Sequence, residues 1–172
     1  MKKILVVVDM QNDFIDGALG SAEAASIVSG VAERISEFAG EVIFTRDTHF
    51  ENYLSTAEGK RLPVEHCIKD TYGWQISSAI PVPESARIFD KKAFGSAELC
   101  QTLAAENEED KIDEIELVGL CTDICVISNA FLLKAFLPEC EITVNSALCR
   151  GVTDESHRNA LSAMEACQIK II

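Results

Sequence analysis

Hydrophobic positions along this chain fall into short aliphatic runs that alternate with longer, helically spaced ones. Ile4-Leu5-Val6-Val7-Val8 is an unbroken aliphatic run, the pattern of a strand covered on both faces, and it stops abruptly at Asp9. Gln11 to Gly20 is polar and turn-like, with Asp16-Gly17 as the turn signal and Phe14 as a large apolar group. Ser21 is placed to cap a helix that carries Ile27, Val28, Val31, Ile35 and Phe38 on one face and ends at Gly40. Val42-Ile43-Phe44 is a second strand running into Thr45-Arg46-Asp47-Thr48-His49.

From Asp47 to about Pro83 the periodicity fails and polar residues, Gly and Pro accumulate. An irregular segment of that length in a compact chain is usually functional. Arg87-Ile88-Phe89-Asp90 is a short third strand leading to Lys91 and Lys92. Gly95-Ser96 opens a helix through Leu99, Leu103 and Ala104, and Asn107 to Asp113 is an acidic connection. Ile115 to Val118 is the fourth strand, and Thr122, as N-cap, opens a long helical run to Leu137. Ile142-Thr143-Val144 is the fifth strand, Thr153 caps a helix reaching Met164, and Ile169-Lys170-Ile171-Ile172 is the sixth.

Strands alternating with helices predict an α/β chain of three layers, a mostly parallel six-stranded sheet between helices, with right-handed crossovers. The 172 residues suffice for one core, and no linker or repeat divides them, so residues 1–172 are expected to form a single domain. Asp9, Asp47, Lys91 and Cys125 each follow a different strand, so all four should converge on one edge of the sheet.

Charge and cysteine content narrow the partners. The 28 acidic residues exceed the 15 Lys and Arg, giving a net charge of -13 that speaks against a phosphate-backbone partner such as nucleic acid. Seven cysteines without paired spacing, and no signal-like or membrane-spanning run, predict free thiols and a cytoplasmic protein with no membrane partner. The run Ile124 to Leu137 is apolar on nearly every face, which predicts cover by a second subunit in a homo-oligomer.

Candidate chemistry gathers at the predicted edge. Cys125 lies in the first turn of its helix, where unpaired backbone N–H groups favour thiolate and supply donors for an anion. Asp9 is then the base that takes its proton, and Lys91 holds Asp9 in place and charged, a hydrolytic set. Asp47, His49 and His66 offer a carboxylate and two imidazoles suited to Zn²⁺, or to Fe²⁺ or Mn²⁺, with Glu58 and Glu65 as further ligand candidates. His157, on a helix far along the chain, reads as a surface residue. A ligand- or metal-binding domain without catalysis is the reading from another class.

Four stretches together resemble the isochorismatase-like cysteine hydrolases, in the nicotinamidase/pyrazinamidase branch. They are Asp9-Met10-Gln11-Asn12-Asp13-Phe14, Asp47-x-His49 with Leu62-Pro63-Val64-Glu65-His66-Cys67, Lys91-x-x-Phe94, and Gly119-Leu120-Cys121-Thr122-Asp123-Ile124-Cys125. The resemblance runs through nearly the whole chain. It implies a Rossmann-like fold and a triad of Asp9, Lys91 and Cys125, Lys91 keeping the better spacing to Phe94 than its alternative Lys92. It also implies a cis peptide at Leu120–Cys121 and an oxyanion hole from the amides of Cys121 and Cys125. Asp47, His49 and His66 correspond to the family's metal ligands, joined in some members by a glutamate placed like Glu58. Phe14 and Trp74 look like the walls of a flat-ring pocket. The implied activity is hydrolysis of a small aromatic carboxamide, nicotinamide to nicotinate and ammonia, through a thioester on Cys125. A metal-independent cysteine amidase acting on another small amide, a carbamoyl compound for example, is the alternative within the superfamily.

Overall fold

The computed structural model describes residues Met1–Ile172. Its six strands form one sheet in the order β3-β2-β1-β4-β5-β6, and every neighbouring pair is parallel. The strands are β1 (Lys2–Val8), β2 (Glu41–Asp47), β3 (Arg87–Lys91), β4 (Ile112–Leu120), β5 (Glu141–Arg150) and β6 (Lys170–Ile171).

β1 lies at the centre because its aliphatic run has no polar face to give to water. Ile4, Val6 and Val8 point into a core shared with Leu99, Leu103, Ala130, Leu133 and Met164. Leu5 and Val7 point the other way, into a core with Ile27, Val31 and Ile35. Each such fully buried side chain contributes about 1.5–3 kcal/mol of hydrophobic free energy. An Asp in place of Val7 would leave an unpaired charge in the second core.

The helices cover both faces: α1 (Asn12–Ile15), α2 (Ala22–Ser26), α3 (Val28–Glu37), α4 (Ala97–Glu109), α5 (Ile127–Phe136) and α6 (Asp154–Ala166). Ser21, Ser96 and Thr153 cap α2, α4 and α6 through their side chains, each accepting from the backbone N–H three residues on. The single helix expected from Ser21 to Gly40 is instead two, broken at Ile27. Ser26 returns its hydroxyl to the Glu23 carbonyl at 2.7 Å, a local bond that competes with straight helix continuation. The expected connection from Asn107 is helical through Glu109, where helix-forming glutamates carry the turn on and Arg87 pairs with Glu106.

Chain direction away from β1 reverses between its two neighbours: β2 and β3 lie on one side, β4, β5 and β6 on the other. The crevice beyond the carboxyl ends of β1 and β4 is therefore the switch point where open α/β sheets place their ligands. The irregular segment between β2 and β3, with one short 3-10 turn at Tyr53–Ser55, folds over that crevice.

Candidate active site

Asp9, the first residue past β1, adopts a left-handed φ of 48°, which asparagine and aspartate tolerate better than other side chains. Its carboxylate is wholly buried; Oδ1 accepts the Thr45 hydroxyl at 2.6 Å and Oδ2 lies 2.6 Å from Lys91 Nζ. Lys91 ends β3, opposite Asp47 in the register, and its ammonium also reaches Asp47 Oδ1 at 3.1 Å and Cys125 Sγ at 3.4 Å. Lys92 is exposed at the cavity mouth, its ammonium 5.5 Å from the Phe50 ring centroid.

Burial would lower the Lys91 pKa, but the Asp9, Cys125 and Asp47 charges around it raise it well above the ordinary lysine value. Burial pushes the Asp9 carboxyl up, with Lys91 opposing. Burial, then the Asp9 charge, pushes the Cys125 thiol well up. Desolvation and the Asp9 charge thus act against the thiolate that the helix terminus favours, with Lys91 opposing them. A raised Asp9 pKa makes that carboxylate a stronger base toward the neighbouring thiol.

Cys125 sits in a wide π-type turn, Thr122–Val126, between β4 and α5. The Leu120–Cys121 peptide bond that precedes it is cis. Ile124 N–H and Val126 N–H both donate to the Cys121 carbonyl, whereas the Cys121 N–H has no backbone acceptor. Asn129 fastens the turn from below, donating to the Cys125 carbonyl at 2.8 Å and to Phe94 O at 3.2 Å while accepting Ser96 N–H at 2.9 Å. Thr122 does not cap the helix as expected: the cap position is Cys121, and the Thr122 hydroxyl pairs with His157 Nδ1 at 2.8 Å. His157 is correspondingly half-buried against the site, not a free surface residue.

Asp47, His49, Glu58 and His66 bring two imidazole nitrogens and two carboxylate oxygens within 4.8 Å of one another. His49 Nε2 lies 2.9 Å from Asp47 Oδ2 and 3.5 Å from Glu58 Oε1. His66 Nδ1 is 2.8 Å from the Val64 carbonyl, a contact that places the proton on Nδ1 and leaves the Nε2 lone pair facing the carboxylates. His49 Nε2 is buried, and despite its short approach to Asp47 Oδ2 it makes no well-aligned hydrogen bond. Two convergent imidazoles and two carboxylates, one nitrogen otherwise unsatisfied, fit a divalent cation of the zinc type. Glu65 is exposed and outside the group, because the turn that delivers His66 inward sends its neighbour outward.

Asp47 itself is held by Gln11, a buried residue that in sequence looks like the start of a turn. Gln11 Oε1 accepts Asp47 N–H at 2.7 Å and its amide donates to Asp47 O at 2.9 Å and Trp74 O at 2.8 Å. A buried amide carries no periodicity, so only the short distance from the strand end could have flagged it.

A cavity of about 580 Å³ opens onto both sets of residues. Cys121, Ile124 and Cys125 line it together with Asp47, His49, Glu58 and His66, and Phe14 and Phe94 contribute rings. Trp74 does not line it, which corrects the expected ring wall: its indole lies under the Arg46 guanidinium at 3.7 Å and donates to the Thr48 hydroxyl at 2.9 Å, bracing β2 from behind.

The Isochorismatase domain family matches residues 3–172 of this chain. A nicotinamidase of Escherichia coli is 29% identical over 194 residues, covering 95% of this chain and 90% of the relative. The crystal structure of a pyrazinamidase of Pyrococcus horikoshii in complex with zinc superposes with a TM-score of 0.86 at 29% identity, covering 100% of this chain and 99% of that one. A pyrazinamidase/nicotinamidase of Streptococcus mutans superposes with a TM-score of 0.85 at 25% identity, covering 99% and 100%.

Proposed function

This chain belongs to the isochorismatase family, and from that premise we propose that it is an amidohydrolase cleaving the C–N bond of a small aromatic carboxamide, nicotinamide first, with Cys125 as nucleophile. The observation that carries the reading is Lys91 Nζ, 2.6 Å from Asp9 and 3.4 Å from Cys125, with Cys125 lining the same cavity as the His–carboxylate group. The nicotinamidase and pyrazinamidase relatives support the substrate class.

In this reading Asp9 takes the Cys125 proton and the sulfur forms a bond to the amide carbon. The carbonyl electrons move to oxygen, and the oxyanion rests on the amides of Cys121 and Cys125. Asp9 passes its proton to the amide nitrogen, the C–N bond breaks and ammonia leaves, with the acyl group held as a thioester. Water then adds to the thioester with Asp9 as base, and the carboxylate product departs as Cys125 regains its proton. Lys91 keeps Asp9 oriented throughout. Asp47, His49, His66 and Glu58 would hold the cation, which supplies a Lewis-acid anchor for the ring nitrogen and so orients the carboxamide over Cys125. Phe14 and Phe94 bound the ring and exclude water.

Ammonia release from nicotinamide, on metal-stripped and metal-restored protein, tests this. Turnover that depends on metal and falls by about 10⁴-fold or more in Cys125→Ala is the expected result. Steady-state turnover by Cys125→Ala overturns the nucleophile, and absence of release by metal-loaded wild type overturns the substrate.

A further inference from the structure

The Thr122–Val126 turn must hold two backbone amides in a fixed direction while its own hydrogen bonding is looser than an α-helix. Its first side chain has a partner outside the turn. Thr122 is fully buried, and its hydroxyl meets His157 Nδ1 at 2.8 Å. Without that partner the buried hydroxyl would be left unsatisfied, so the pair is not incidental.

His157 is in turn placed by the start of α6. Thr153 and Ser156 form a capping box, with Ser156 N–H on the Thr153 hydroxyl at 3.0 Å and Thr153 N–H on the Ser156 hydroxyl at 3.1 Å. His157 N–H completes the turn on the Thr153 carbonyl at 2.9 Å. A second stitch joins the same two segments, since the Asp123 carboxylate accepts Val152 N–H at 3.1 and 3.3 Å. Gly151 lets the chain pass close: a Cβ there would lie 2.9 Å from His157 N. Thr122, Asp123, Val152 and His157 are not among the residues that line the cavity.

From this arrangement we infer that His157 is a positioning residue: through Thr122 it fixes the direction of the Cys121 and Cys125 amides that receive the oxyanion. The inference rests on the amidase reading above. It assigns His157 to transition-state stabilisation and not to activation of the thiol, which is left to Asp9 and Lys91.

Leucine and asparagine separate packing from hydrogen bonding at this position, because both approximate the imidazole's proximal half and asparagine alone puts a polar atom where Nδ1 lies. In ammonia-release assays His157→Leu is expected to lose about tenfold in kcat with KM changed less than about twofold, the mark of an interaction made in the transition state. His157→Asn should recover to within about threefold of wild type. Thr122→Val/His157→Leu should be no worse than the poorer single variant, since the two act through one bond. Amide hydrogen exchange across residues 121–126 should be faster in His157→Leu than in His157→Asn or wild type. Wild-type kcat in His157→Leu, an equal loss in His157→Asn, or multiplicative losses in the double variant each overturn the inference. Should His157→Leu not fold, Thr122→Val carries the same expectations. If wild type releases no ammonia from nicotinamide, the proposed function fails and the exchange rates alone decide: faster exchange in His157→Leu supports the positioning role, unchanged exchange overturns it.

Discussion

Asp47 faces three neighbours through two oxygens. Oδ1 is turned to Lys91 and Oδ2 to His49 and His66, so one carboxylate separates the cation of the hydrolytic set from the imidazoles of the metal group. Gln11 fixes its backbone on both sides, which is why a side chain with two tasks does not need to move between them. His157 stands apart from this dense charge. The groups around it are Arg150, Asp123, Asp154 and Arg158, and burial first, then Arg150, hold its pKa below the ordinary 6.5. The folded state thus binds the His157 proton less readily than the unfolded chain. Its contribution to stability is present above about pH 6.5 and is lost as the pH falls toward the folded pKa. Denaturant midpoints measured between about pH 7 and pH 5 should fall more steeply for wild type than for His157→Asn. Parallel pH profiles for the two proteins would refute this.

At the scale of elements, the close approach of β1 and β4 brings Asp9 next to the nucleophile turn. Gly119 makes that approach: it pairs with Val8, adopts φ +116°, and a Cβ on it would lie 2.1 Å from the Val8 carbonyl oxygen. Gly119→Ala should therefore destabilise the fold by about 3 kcal/mol, from backbone strain and a clash that only strand separation relieves. Urea unfolding with an unchanged m-value reads it, and a loss under about 1 kcal/mol would refute it. The strands themselves were legible because their aliphatic runs admit no other burial, and Ser21, Ser96 and Thr153 marked helix starts through a local hydrogen bond. The convergence of Asp9, Asp47, Lys91 and Cys125 followed from strand ends alone. What escaped were features decided by tertiary partners. Trp74 looks like a ring wall in sequence but is claimed by Arg46 and Thr48. Thr122 looks like a cap until His157 arrives from 35 residues away. β5 runs on to Arg150 because β4 offers Gly119 and Leu120 as partners, not because residues 145–150 alternate.

For the whole molecule, acidity and the metal group belong to one balance. The chain carries a net charge of -13, and Asp47 and Glu58 add two carboxylates facing one another inside it. A bound divalent cation removes that repulsion and stabilises the folded state by mass action, about 2.7 kcal/mol at a hundredfold excess over Kd. Thermal midpoints of chelator-treated protein should rise with added Zn²⁺, and His49→Ala should remove the rise. A zinc-independent midpoint in wild type would refute the metal group as a folding ligand.

All six strands run in one direction, so chemistry and chain starts occupy opposite rims of the sheet. The rim where Lys2, Glu41, Arg87, Ile112 and Glu141 begin their strands holds none of the site residues. That rim is a natural handle. A bead, a surface or a fused protein attached at the exposed Lys111 leaves the cavity pointing away from the attachment, open to whatever diffuses past.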